Sequence, residues 1–178
     1  WESFYKAGDD LMKELIHQLI IEGTYSPIEK KMKTLGFSPE EITDKNNDFF
    51  GGNTGMSFRN KQLRSDFNLQ VSVPIVSHFL ELIKQNDLES KILSFSDFFN
   101  NNPPTKILMN HFKQHFGFDL ETLQWHFERK VVSAIIEKTF DLLIGKVSSL
   151  FSYYECDIVL LSGRLTSLVP LTDLFLKS

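Results

Sequence analysis

The sequence predicts an α+β fold in which helices dominate. Most apolar residues recur at intervals of three and four, as on the buried face of an amphipathic helix. Residues 123–127 instead alternate apolar and polar side chains, the period of a half-buried strand. Residues 158–161 form a continuous apolar run that Gly163 soon follows, which is typical of a strand buried on both faces. This order predicts a helical subdomain at 9–117 and a smaller, partial α/β subdomain at 118–178.

Composition and charge exclude several classes of protein. With 42% hydrophobic residues the chain is globular and not disordered, and its net charge of −4 argues against a dedicated nucleic-acid binder. No apolar run approaches the roughly 18 residues of a membrane span. Cys156 is the single cysteine, so an internal disulfide is impossible and a reducing, cytoplasmic location is expected. Because the chain opens at Trp1 and closes directly after an amphipathic run, we expect it to be a piece of a longer protein.

Helix start and stop signals divide the first 117 residues. Ser26-Pro27 is a capping pattern with proline at the first helical position, and Ser38-Pro39 begins a short turn of helix. Pro74 falls inside a long helical pattern, so a kink or a junction of two helices is expected there. Two further helices are predicted from Glu128 and after Leu168. The other predicted helices run from Gly8 to Gly23, from Ser26 to Gly36, from Lys61 to Lys84 and from about Pro104 to Gly117.

Residues 43–60 are polar and rich in glycine. The stretch Gly51-Gly52-Asn53-Thr54-Gly55 invites interpretation as a phosphate-binding loop. Such a loop needs a lysine and a serine or threonine at fixed spacing, and neither follows. A flexible surface loop is the favoured interpretation.

Side chains able to bind a metal or perform catalysis are few. His111 and His115 are four residues apart and share a helix face, as metal ligands do, but no third ligand accompanies them and packing is favoured. Asp9 and Asp10 could hold a metal, although helix capping is the preferred role. Cys156 precedes the apolar run and is interpreted as inert packing. No catalytic triad is indicated.

Arg164 follows Gly163 at the mouth of the predicted strand 158–161. An arginine at such a position can stack on a base or hold a phosphate. A salt bridge to a neighbouring subdomain is an equally good interpretation.

Four segments together resemble the second large lobe of the actin-like ATPase superfamily, which includes the DnaK-type chaperones. They are Gly8–Leu11 with its helix, the helix at 61–82, GFDLETLQWHFE at 117–128, and CDIVLLSGRLTSLVP at 156–170. Within that superfamily the chain resembles the SrfB family of bacterial virulence factors most closely, above all at 154–164. Residues of the middle helix that are also similar to that family are Arg64, Gln70 and Pro74.

This resemblance implies both a fold and a role. The partial subdomain would be ribonuclease H-like, and Ser162, Gly163 and Arg164 would bind nucleotide in a cleft shared with the remaining lobe of the same polypeptide. ATP and Mg²⁺ would be cofactors of the longer parent, and whether that parent hydrolyses ATP is left open. The two aspartate-bearing phosphate loops of the superfamily are absent here, so this fragment alone would use no cofactor and perform no hydrolysis. The alternative is a non-catalytic helical module on a degenerate actin-like fold that binds a protein partner.

Overall fold

The computed structural model describes residues 8–51, 57–85, 88–155, 158 and 168–177. Within these ranges the structure is mostly helical with one antiparallel pair of strands, which confirms the predicted α+β class. The strands are β1 (Ser90–Ser94) and β2 (Gln124–Glu128). The helices are α1 (Gly8–Ile16), α2 (Pro27–Thr34), α3 (Pro39–Phe50), α4 (Phe58–Phe67), α5 (Val73–Lys84), α6 (Phe95–Phe99), α7 (Lys106–Phe116), α8 (Arg129–Tyr153) and α9 (Val169–Lys177).

The strand predicted from the alternation at 123–127 is confirmed as β2. Its buried residues Trp125 and Phe127 alternate with exposed ones, and Trp125 lies opposite the buried Leu93 of β1. One face of this two-stranded sheet therefore covers the core, while the other faces solvent.

Arg129 joins the sheet to the end of α5. Its guanidinium donates to the carbonyls of Leu82, at 3.0 Å, and Ile83, at 2.9 Å, and also to that of Gln85. Its Nε donates to the carbonyl of Leu88 at 2.9 Å. Because the last carbonyls of a helix have no partner within the helix, this side chain satisfies the end of α5 and fixes it beside α8.

One continuous apolar core runs through the described residues, from Leu11 in α1 to Leu171 in α9. Its aromatic centre includes Phe49, Phe67 and Phe112, with the rings of Phe67 and Phe112 stacked at 5.7 Å. The predicted boundary between residues 117 and 118 falls inside this core, and the division into two subdomains stays a prediction.

Two helices widen into π-turns. The first π-turn (His17–Ile21) continues α1, and the second π-turn (Asn68–Ser72) joins α4 to α5. The second confirms the predicted junction at Pro74. Because proline lacks an N–H and its ring crowds the carbonyl four residues earlier, a wider turn before it relieves the conflict.

Several predicted helix ends are confirmed in detail. Ser26 and Thr105 cap α2 and α7 by accepting hydrogen bonds from backbone N–H groups. Gly117 ends α7 with φ of 84°, a left-handed conformation that glycine adopts without strain.

The loop predicted for 43–60 is wrong over its first part. Ser38 does not begin a short turn but forms a capping box with Glu41, and α3 continues to Phe50. The helix forms despite several residues of low helix propensity because Ile42, Asn46 and Phe49 lie on one face and are buried.

The apolar run predicted as a buried strand lies mostly outside the described residues. Ile158, which is described, is 80% exposed and belongs to no strand, so burial is not observed at this residue. The helix predicted after Leu168 is confirmed as α9, with Pro170 in its first turn. Among the described helices, none is both long enough and apolar enough to cross a bilayer.

Candidate functional site

The predicted nucleotide-binding residues Ser162, Gly163 and Arg164 lie outside the described residues, as does Cys156. What the structure does place is the pair of helices on either side of them. The helix α9 packs against α8.

The best candidate site among the described residues is an open cavity of about 830 Å³ between α1 and α4. Its volume falls in the range of sites that bind small molecules, roughly 300–1,000 Å³. Both π-turns border it. Its lining residues are Asp9, Met12, Lys13, Ile16, His17, Ile21, Phe50, Lys61, Arg64, Ser65, Phe67, Asn68, Ser72 and Val73.

The floor of the cavity is apolar and belongs to the core. Ile16 and Phe67 are buried, and Met12, Phe50 and Val73 are partly buried against the same cluster. Such a floor suits a flat apolar ring, because the surface it would cover is already poorly hydrated.

The charged residues of the lining are mostly basic. Lys13, Lys61 and Arg64 face one carboxylate, Asp9, which leaves a local charge of +2 with His17 neutral. The chain as a whole carries −4. A cavity whose charge opposes that of the whole molecule favours an anionic ligand at this place.

Arg64 is fixed by the backbone. Its guanidinium donates to the carbonyl of Gly51, at the end of α3, and it also borders a small cavity of about 30 Å³ behind α4. This arrangement connects α4 to the end of α3, and it orients one cation of the lining in advance.

The two π-turns differ in how their polar groups are satisfied. At the first, Ser26 Oγ donates to the carbonyls of Ile20, at 2.7 Å, and Ile21, at 3.2 Å. Asn46 Nδ2 also donates to the carbonyl of Ile21, at 3.2 Å. At the second, Ser72 is 1% exposed and its hydroxyl has no hydrogen-bond partner among the described residues. An unused buried hydroxyl therefore belongs to the lining of the cavity.

The predicted packing role of His111 and His115 is supported by their contacts. Both rings pack on Phe49, at 5.4 and 5.2 Å between ring centroids. His115 Nε2 lies 2.9 Å from the carbonyl of Lys45, whose Nζ donates to the carbonyl of His115 at 2.6 Å. Asp48 approaches His115 Nδ1 at 3.6 Å. These contacts join α3 to α7.

Burial lowers the pKa of His111, and the charges of His115 and Arg59 lower it further, whereas Asp48 raises it. The neutral imidazole is therefore favoured at this junction. Within the described ranges no three His, Cys, Asp or Glu side chains come together as a metal would require. Asp9 and Asp10 lie in the first turn of α1.

A second open cavity, of about 690 Å³, lies on the solvent face of the two-stranded sheet. Its charges balance, because Lys91 and Lys130 are offset by Glu89 and Glu128. It lacks the charge excess that distinguishes the cavity between α1 and α4.

Sequence reasoning missed Lys13 and Lys61 as site residues. They are far apart in the chain and belong to no motif, so only the packing of α1 beside α4 brings them to one cavity. Sequence reasoning also missed Ser72, because a serine within a helical pattern does not indicate whether its hydroxyl will have a hydrogen-bond partner.

Comparison with known proteins adds one finding. The model of the family described as virulence factor SrfB matches residues 1–178. No curated protein and no solved structure matches the chain.

Proposed function

We propose that this chain, which belongs to the virulence factor SrfB family, is a nucleotide-binding lobe with an actin-like ATPase fold. The resemblance described above supplies the fold and the class of ligand. It assigns Ser162, Gly163 and Arg164 to a nucleotide site that lies outside the described residues, and we propose the cavity between α1 and α4 as a further place where nucleotide binds. The cytoplasm, where nucleotide is abundant, is the proposed location.

One observation carries this proposal. The cavity between α1 and α4 combines an apolar floor with a lining of net charge +2. A nucleotide offers the matching pair of features, since its base is a flat ring and its phosphates are anionic.

The chain is proposed to bind nucleotide without hydrolysing it. Bound Mg²⁺ would neutralise phosphate charge, and carboxylates usually hold it. Among the described residues no three potential metal ligands come together. Hydrolysis by a longer SrfB polypeptide would need groups contributed by its other lobe.

Calorimetric titration of the 178-residue chain with ATP and with ADP, each with and without Mg²⁺, tests the proposal. We expect saturable binding of both nucleotides, a rise in Tm with nucleotide concentration, and no release of phosphate. Absence of both heat and a Tm shift at millimolar nucleotide would refute nucleotide binding while leaving the fold untouched.

A second candidate function is a non-catalytic helical module that binds a protein. The second half of α8 favours it, because Leu142 is 74% exposed and Tyr153 and Tyr154 are 78% and 70% exposed. Hydrogen exchange of residues 142–154 distinguishes the two functions in a longer SrfB polypeptide. Protection there would mean that the polypeptide covers this face itself, and exchange as fast as in the isolated chain would leave it open to another protein.

A further inference from the structure

We propose that Lys13 and Lys61 form a phosphate-binding site on facing walls of the cavity between α1 and α4. This inference rests on the proposed function where it names a nucleotide as the ligand. The two lysines themselves are chosen from the structure, and the resemblance to actin-like ATPases assigns neither of them.

The charges of the two lysine side chains are not paired with any described residue. Lys13 extends from α1 and Lys61 from α4, both side chains are exposed, and neither has an ion pair or hydrogen bond with any described residue. Asp9, the one carboxylate among the described lining residues, forms a salt bridge with neither. Two cations over one cavity repel each other, and an anion placed between them removes that repulsion.

Arg64 has a different role. Its guanidinium is committed to the carbonyl of Gly51, so it adds positive potential from a fixed position. Lysine side chains, by contrast, are flexible point charges with three donors each, and they can close on a phosphate from opposite sides.

The inner part of the cavity indicates what else the ligand carries. Ser72 lines it, and its hydroxyl has no partner although the residue is 1% exposed. Leaving such a group unpaired is unfavourable, so a ligand that offers it a hydrogen bond is favoured over one that does not. Met12 and Phe67 give the same cavity an apolar floor. The class of ligand that fits is a phosphorylated compound with a ring, and not inorganic phosphate alone.

The test uses pyrophosphate, ATP and adenosine as probes for the 178-residue chain and for the double variant Lys13→Ala/Lys61→Ala. The matched control is Lys106→Ala/Lys138→Ala, which removes the same charge from exposed positions on α7 and α8. We expect pyrophosphate and ATP to bind the double variant at least tenfold more weakly, since a hydrogen bond to a charged group contributes about 1.5–3 kcal/mol. Adenosine affinity should change little. Lys13→Arg/Lys61→Arg should restore most of the loss, and all variants should keep the parent Tm within a few degrees because these side chains are exposed.

The outcomes separate this inference from the proposed function. If ATP binds and its affinity is the same in the double variant and the control, the lysine site is wrong and the nucleotide function stands. If pyrophosphate binds through the lysines but ATP binds no more tightly than pyrophosphate, the lysine site stands and the nucleotide function is wrong. Failure of pyrophosphate to bind the parent chain at millimolar concentration overturns the lysine site.

Discussion

The two π-turns that border the cavity are alike in backbone and opposite in their side-chain support. The first π-turn (His17–Ile21) is followed by Ser26, which donates to two carbonyls of the turn and accepts from the N–H of Glu29 at 3.2 Å. Asn46 adds a second donor from α3. The second π-turn (Asn68–Ser72) ends in a buried hydroxyl without a partner.

This difference indicates which wall of the cavity can adjust its conformation when a ligand binds. A wall whose polar groups are satisfied by buried side chains resists local opening, since each lost bond leaves a buried group unpaired. Both walls contain one buried atom without a partner among the described residues, Asn46 Oδ1 beside the first π-turn and Ser72 Oγ in the second. The carbonyls of the first π-turn nevertheless accept from Ser26 and Asn46, whereas the side-chain bond of the second, from the N–H of Thr105 to Gln70, is exposed. We therefore expect α1 with its π-turn to be the fixed wall, and the junction of α4 with α5 to be the one that adjusts to a ligand.

The largest expected effect comes from Arg129. Its side chain binds the C-terminal end of α5, the helix that follows the second π-turn. Arg129→Met removes the donors to the carbonyls of Leu82 and Ile83 and should destabilise the fold by about 3 kcal/mol. Urea unfolding measures this change, and hydrogen exchange should show the loss of protection concentrated in α5. Lys130→Met, at an exposed neighbouring position, is the control and should have little effect. A loss of protection spread evenly over α1 and α5 would contradict the contrast between the walls.

Next in size is the effect of removing the support of the first π-turn. Ser26→Ala should destabilise by about 2 kcal/mol, because it removes both a helix cap and the hydroxyl donor that the carbonyls of Ile20 and Ile21 share. Ser57→Ala is the matched control, since Ser57 only caps α4 from an exposed position, by accepting from the N–H of Asn60. It should cost about 1 kcal/mol by the same measurement. Equal costs for both variants would mean that the carbonyl bonds of Ser26 contribute nothing.

The opposite sign is expected at the second π-turn. Ser72→Ala removes a buried hydroxyl that has no partner and should stabilise the free chain by about 1 kcal/mol. If a ligand satisfies that hydroxyl, the same variant should bind ATP several-fold more weakly while pyrophosphate binding is unchanged. Urea unfolding and calorimetry together test both parts. A destabilised Ser72→Ala variant would show that the two walls are not different in the way proposed here.

Much of the fold could be predicted because its signals are local. The caps at Ser26 and Thr105, the end of α7 at Gly117, and the alternation of β2 all rest on neighbouring residues. The extent of α3 could not be predicted, because its polar composition favours a loop and only burial of Ile42 and Phe49 makes it helical.

The candidate site was less accessible to prediction than the fold. A π-turn adds one residue to a helical turn and leaves the apolar spacing almost unchanged. Pro74 was therefore the one residue whose type indicated an irregular turn near the second π-turn. Lys13 and Lys61 meet through tertiary packing, which no spacing in the sequence encodes. The turn at 162–164, which carried the predicted nucleotide site, lies outside the described residues, and its role remains a prediction.

The smallest expected effect is a dependence of stability on pH. It concerns the adjustable wall, the junction of α4 with α5. Burial lowers the pKa of His111, so between that lowered value and the unfolded value of about 6.5 the unfolded chain binds a proton that the folded chain refuses. Stability should therefore fall as pH decreases through about 6.5, level off below the folded pKa, and be insensitive to this group above about 7.5.

Since His111 and Arg64 border the same small cavity, acid should weaken α4 more than α1. His111→Phe, which keeps a ring against Phe49, should flatten the Tm profile between pH 7.5 and 5, and His126→Phe on the exposed face of β2 is the matched control. Burial also lowers the pKa of His78, so a reduced slope should persist in the His111 variant, and an unaltered slope would show that His111 does not link protons to the stability of this wall.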